Sequence, residues 1–231
     1  MKKIIILSAL FVSISINSHA AGRRGRGGDD QQGFNFGGSL GVNGSFIMHQ
    51  YTYGAKELPY ASTVRFAVGG NVGYNFTQHV GVELELNYSG QGQNYKDDVG
   101  NPPLQRQISL TYLQFPVMFK YNAGDAGTGF FVMAGPQFGF LLNSSISYNG
   151  AEQLSTQTSG FFVSHDIGIK LVVGDNIRLT DQLYLSAGVN FNLGFTDINL
   201  PAIRYYNLPH PYHASNNAFG GLVIGIHYKL R

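Results

Sequence analysis

The sequence predicts an all-β fold: an eight-stranded antiparallel up-and-down transmembrane β-barrel. Three observations predict it. From Phe34 onward, apolar residues alternate with small or polar ones in eight runs, the signature of strands whose two faces meet different surroundings. The polar faces are mostly Gly, Asn and Ser, and charged residues are only 12% of the chain, too few for the solvated outside of a soluble barrel. The connections between runs alternate long and short, as they do where turns face one compartment and loops the other.

The runs follow in order. Run one, Phe34 to Met48, sets Phe34, Phe36, Leu40, Val42, Phe46 and Met48 against Asn35, Ser39, Asn43 and Ser45. Run two, Val64 to Phe76, sets Val64, Phe66, Val68, Val72, Tyr74 and Phe76 against Arg65, Ala67, Asn71 and Asn75. Run three, Val80 to Tyr88, opposes Val80, Val82, Leu84, Leu86 and Tyr88 to Glu83, Glu85 and Asn87. Run four, Ile108 to Tyr121, changes phase between Tyr112 and Leu113, which predicts a β-bulge in that strand, with Pro116 nearby lacking a ladder donor. Runs five to eight are Phe130 to Leu142, Phe161 to Val173, Leu183 to Phe195 and Ala218 to Leu230. Aromatics near the run ends predict two girdles: Tyr74, Phe76, Tyr121, Phe130 and Tyr228 at one rim, and Phe46, Phe66, Tyr88, Tyr112, Phe140 and Phe195 at the other. Such girdles mark the two membrane interfaces of a barrel.

Ahead of the barrel, Lys2 and Lys3 precede the apolar stretch Ile4 to Ile16 and the small-x-small site Ser18-His19-Ala20. This predicts a signal peptide over residues 1–20. Residues 21–33, with no apolar side chain after Ala21, read as a flexible periplasmic lead-in, and residues 34–231 as the barrel domain. Without Lys2 and Lys3 the basic residues fall from fifteen to thirteen, equal to the thirteen acidic ones. No charge argument for nucleic acid survives. The absence of cysteine excludes a disulfide framework and an acylated N-terminal cysteine. Eight strands with short turns on the side of the termini place both termini in the periplasm.

Several segments resemble the PorT-like outer-membrane β-barrel family. They are GVELELNYSGQG (Gly81 to Gly92), YLQFPVMFKY (Tyr112 to Tyr121), VMAGPQFGFLL (Val132 to Leu142), HDIGIKLVVG (His165 to Gly174) and VNFNLGFTDI (Val189 to Ile198). The resemblance spans the barrel and implies an integral outer-membrane protein. Most such relatives are uncharacterised barrels, and some act in outer-membrane protein secretion or in gliding machinery.

The strand charges fall in the inward register: Arg65, Glu83, Glu85, Lys120, Asp166, Lys170 and Lys229. A charge facing lipid at mid-depth costs about 2–4 kcal/mol, so a lumen ionic network is expected. A turn at Thr77-Gln78-His79 would set Glu83 opposite Gly73 and Glu85 opposite Asn71. Two carboxylates on one face suit acid–base chemistry or a cation, yet buried charges are normally paired, and salt bridges to Lys120 or Lys170 are the expectation. His165 and Asp166 are adjacent in a strand and point to opposite faces. His210 and His213 are too weakly spaced for a metal motif, and no cofactor or metal is expected. In the last long loop, Arg204, Tyr205, Tyr206, His210, Tyr212 and His213 suit partner recognition, or a loop that folds over the barrel mouth with its own aromatics.

The function expected is therefore non-enzymatic: a structural component of the outer membrane or a subunit of an envelope or protein-secretion assembly. Its partners would be outer-membrane lipid and lipopolysaccharide, the barrel-assembly machinery during insertion, and other envelope proteins. A small-solute porin-like channel is the alternative. A surface lipid or peptide hydrolase using Glu83, Glu85 or His213 is the second.

Overall fold

The computed structural model describes residues 32–49, 59–97, 104–124, 128–149, 151–153, 160–204 and 212–230. The expected signal peptide and most of the lead-in lie outside the described residues. Eight long strands are β1 (Gly33–Met48), β3 (Val64–Asn75), β4 (Val80–Asp97), β5 (Leu104–Asn122), β6 (Gly129–Tyr148), β8 (His165–Arg178), β9 (Leu183–Gly194) and β10 (Asn216–Lys229). Two short strands, β2 (Tyr60–Ala61) and β7 (Ala151–Gln153), add to β4 and β6. Each long strand pairs antiparallel with its neighbours in chain order, and β1 pairs with β10 from Asn35↔Lys229 to Met48↔Asn216, so the sheet closes. Closure is what hydrocarbon demands: an open edge would leave N–H and C=O groups without partners.

One end of the barrel carries the short turns and both ends of the strand path; we call it the turn end, and the other the loop end. Two of the turns are pinned by a threonine. Thr77 Oγ1 accepts from the backbone N–H of His79 (3.1 Å) and Val80 (3.0 Å), and Thr180 Oγ1 accepts from Gln182 (3.3 Å) and Leu183 (3.0 Å). A hydroxyl that bonds the backbone two and three residues on stabilises a tight turn without glycine. The first of these turns sets the register of β3 on β4, with Gly73 opposite Glu83 and Asn71 opposite Glu85.

The packing is inside-out relative to a soluble protein. Leu40, Phe66, Leu84, Phe119, Phe191 and Ile224 are more than half exposed, whereas Glu83 and Asn43 are 1% exposed. Large apolar side chains thus form a continuous outer belt, which is stable only against lipid. Aromatics border it at the turn end, where Phe34 packs on Tyr74 (ring centres 4.9 Å), Tyr74 on Phe76 (5.4 Å) and Phe36 on Tyr228 (5.5 Å). Phe46, Phe66, Tyr88, Phe140 and Phe195 remain outward at the loop end.

Three expectations need correction. β5 keeps one phase throughout, with its even residues inward from Arg106 to Asn122. The one-residue irregularity falls instead on β6: Thr111 pairs with Asn143 and Tyr112 with Leu141, leaving Leu142 as the extra residue. Ile108, Leu110 and Tyr112 are therefore interior apolar residues, and Tyr112, 0% exposed, is not part of a girdle. Second, the stretches 89–107 and 143–160 are only partly loop. β4, β5 and β6 run to 18, 19 and 20 residues, about twice what a crossing needs. They project past the apolar belt at the loop end, with Lys96, Gln105 and Gln107 exposed. Third, Phe161 to Val163 stands outside β8, forming an isolated bridge, Phe162↔Asn199.

A charge in the outer belt is the sharpest test of the inside-out arrangement. Leu84→Arg should destabilise the barrel by about 2–4 kcal/mol in lipid vesicles, read as a lower urea midpoint, while Gln107→Arg on the projecting hairpin should leave the midpoint within error.

Candidate functional site

The lumen is layered along its axis. Nearest the turn end lie four buried asparagines, Asn35, Asn75, Asn122 and Asn176, with Lys229 buried in the same half. Above them Lys120 Nζ pairs with Glu83 Oε2 at 3.4 Å, and Glu83 Oε1 accepts from Asn71 Nδ2 at 2.6 Å. Lys120 also lies over the rings of Phe131 (5.3 Å) and Tyr184 (5.6 Å). Further in, Lys170 Nζ pairs with Glu85 Oε2, which also accepts from Asn87 Nδ2 at 2.7 Å. All four charged side chains are almost fully buried, and each carboxylate accepts from an asparagine amide besides its lysine, which offsets part of the cost of burying the pair.

Of the seven charges expected in the lumen, these four form two ion pairs. Asp166 is buried and accepts from Asn217 Nδ2 at 2.9 Å, while Asn217 also reaches Tyr112 Oη at 3.2 Å. Arg65 belongs to the loop end: it donates to the carbonyls of Gln91 (3.2 Å) and Ile108 (3.4 Å) and to Ser109 Oγ (3.2 Å).

A serine–histidine contact was not legible in the sequence. Ser186 and His227 sit 41 residues apart on β9 and β10, and Ser186 Oγ lies 2.9 Å from His227 Nε2. Tyr184 stacks on the same imidazole, rings 4.7 Å apart and nearly parallel. Asn71 directs its amide N–H₂ to the Glu83 carboxylate, and the same nitrogen lies 3.4 Å from His227 Nδ1.

Two small hollows lie in the lumen among the described residues. One of about 30 Å³ lies among Glu83, Glu85, Lys120, Ser186 and His227; the other, about 20 Å³, lies among Asn43, Asn87, Gln114, Asn190 and Asn192. Each has room for a water or two, not for a solute.

The loop end is closed by apolar residues. Ile47, Tyr95, Ile108, Leu110, Tyr112 and Ile146 from the strands pack with Phe162 and Ile198 from the two loops that flank β8 and β9. Those loops are stitched together by backbone bonds, Val163 N to Ile198 O (2.8 Å) and Leu200 N to Phe161 O (2.9 Å). Asp197 is the hub. Its carboxylate accepts from Arg204 Nε (3.0 Å), Tyr212 Oη (2.7 Å) and the N–H groups of Asn199 (3.2 Å) and Ser215 (3.1 Å). Partial burial, then the bond to Asp197, pushes the Tyr212 phenol up to about 12. Arg204 and Tyr212 therefore serve the loop's own fold, and Tyr205, Tyr206 and His210 lie outside the described residues. His213 is exposed, with its ring 5.6 Å from that of His49.

Two measurements probe this interior. Lys170→Met should cost about 3 kcal/mol or more by stranding a buried carboxylate, and adding Glu85→Gln should recover much of the loss in a urea double-mutant cycle. Asp197→Asn should loosen the cap, raising the rate of tryptic cleavage after Arg204 by roughly tenfold, since each 1.4 kcal/mol lost is a tenfold gain in open population.

Residues 23–199 match the family model described as outer membrane protein beta-barrel domain. Among solved structures, Neisserial surface protein A is 13% identical with a TM-score of 0.46, covering 85% of this chain and 97% of that one. Outer membrane protein OprG of Pseudomonas aeruginosa is 17% identical, TM-score 0.45, covering 86% and 95%. The attachment invasion locus protein Ail of Yersinia pestis, solved with the heparin analogue sucrose octasulfate, is 9% identical, TM-score 0.42, covering 85% and 99%. No curated protein sequence matches the chain. With a closed eight-stranded ring, an apolar belt and a family match over most of its length, the chain belongs to the outer membrane protein beta-barrel domain family and is a β-barrel protein of the bacterial outer membrane.

Proposed function

We propose that this barrel is a closed, non-enzymatic outer-membrane component, acting as a structural element or as a subunit of an envelope or protein-secretion assembly, as some PorT-like barrels do. The observation that carries the reading is the packed interior among the described residues: two buried ion pairs in mid-barrel with a hollow of about 30 Å³ beside them, and an apolar cluster at the loop end. The PorT-like assignment within the family rests on the motif segments, of which YLQFPVMFKY lies in β5 and GVELELNYSGQG in β4.

In this reading the termini and the threonine-pinned turns face the periplasm, and the projecting ends of β4, β5 and β6 face outward. Those ends present Lys96, Gln105 and Gln107 to water on a sheet stiffened from behind by Tyr95, Ile108 and Ile146. Arg106 adds to that stiffness by stacking over Tyr95 at 4.3 Å. A rigid polar sheet held clear of the bilayer suits contact with lipopolysaccharide headgroups or another envelope protein.

Planar-bilayer recording of the refolded barrel separates this reading from a pore: the expected record has no steady openings, and large stable steps would overturn it. A photo-crosslinking side chain at Gln107 in intact cells should trap an envelope component, whereas one at Leu84 should trap lipid alone. Absence of any adduct at Gln107 would count against the assembly role.

A further inference from the structure

The barrel seam brings together two imidazoles that the chain holds far apart. His49 follows the last residue of β1, and His213 lies three residues ahead of β10. Their rings stand 5.6 Å apart, tilted by 42°, and both are exposed. An imidazole nitrogen lies about 2.0–2.1 Å from a bound zinc and a little over 1 Å from its own ring centre, so two imidazoles on one tetrahedral ion have centres roughly 5–6 Å apart. The observed separation is within that range.

The approach is held by the backbone. His49 adopts φ 53°, a left-handed conformation that non-glycine residues keep only where surroundings fix it, and one that recurs at functional sites. Ser215 Oγ donates to the His49 carbonyl at 3.1 Å, and Ser215, fully buried, donates its own N–H to Asp197 at 3.1 Å. The strained turn of His49 is thus tied to the segment that carries His213.

We propose that His49 and His213 form a two-imidazole surface site for a borderline divalent transition metal, Cu²⁺ or Zn²⁺, with water completing the coordination. Neutral imidazole suits these ions, and Cu²⁺ binds most tightly of the series. A bound ion would staple the loop end of β1 to the approach of β10 across the closure. The inference stands whether or not the barrel works in an assembly.

The test uses the whole barrel in detergent, purified without a histidine tag and titrated with Cu²⁺. The expected result is one tight equivalent whose electron paramagnetic resonance shows nitrogen couplings from two imidazoles. His49→Asn, which tolerates the left-handed backbone, and His213→Gln should each weaken binding about tenfold or more and leave one imidazole coupling, with heat-modifiable migration showing a folded barrel. His79→Ala at the turn end should change neither reading. Zn²⁺ should displace the Cu²⁺ when in excess. The proposal fails if the native chain takes up no stoichiometric Cu²⁺, or if the two-imidazole signal survives both substitutions.

Discussion

The fold depends on backbone hydrogen bonding where there is no water. Within hydrocarbon each unpaired peptide group costs several kcal/mol, so the sheet must close, and the pairing of β1 with β10 supplies the closure. Once the ring is closed, the period of two does the rest. Every strand sends alternate side chains into lipid and into a narrow lumen, and the lumen must accept whatever lipid refuses. Glu83, Glu85, Lys120 and Lys170 are inside for that reason, and having been placed inside they must find partners. The ion pairs are a consequence of the outer belt as much as a device of their own.

Much of this was legible in the sequence because the period-two signal is strong wherever one face meets lipid. The turn at Thr77 fixed the register that puts Glu83 beside Gly73, since a short pinned turn leaves no slack. The signal failed where lipid ends. Before Leu113 on β5 the outward Gln105, Gln107, Ser109 and Thr111 are polar and the inward Ile108, Leu110 and Tyr112 apolar, so the alternation inverts and reads as a phase change, whereas just beyond Tyr88 on β4 both faces are small or polar, with Ser89, Gln91 and Gln93 buried, and the stretch reads as loop. Tyr112 was misplaced at a rim by the same inversion: it is an interior residue of a strand that has already left the membrane side of its pattern. The extra residue belongs to β6 at Leu142, in a stretch where Leu141 and Leu142 are both apolar and give no sign of which one is surplus.

The site was less legible, and for a different reason. Sequence spacing predicts neighbours within a strand or across a short turn, but Ser186 meets His227, and His49 meets His213, only through strand pairing between β9 and β10 and across the seam. The loop around Asp197 shows the same limit. Its aromatic and basic residues fit a docking surface or a lid equally well in sequence, and the deciding contacts are those of one carboxylate with four donors on two segments.

The two ends of the lumen are closed by opposite chemistry, and the difference follows from what lies beyond each. At the turn end the described interior is finished with compact amides and Lys229, which tolerate water. At the loop end the chain is long enough to return, and it returns apolar: Phe162 and Ile198 bury themselves against Ile47, Ile108 and Tyr112. Apolar packing there lowers the polarity on that side of the paired charges, which strengthens each pair electrostatically. The barrel therefore holds paired Lys and Glu in its middle, between an apolar cluster on the loop side and a layer of amides on the turn side.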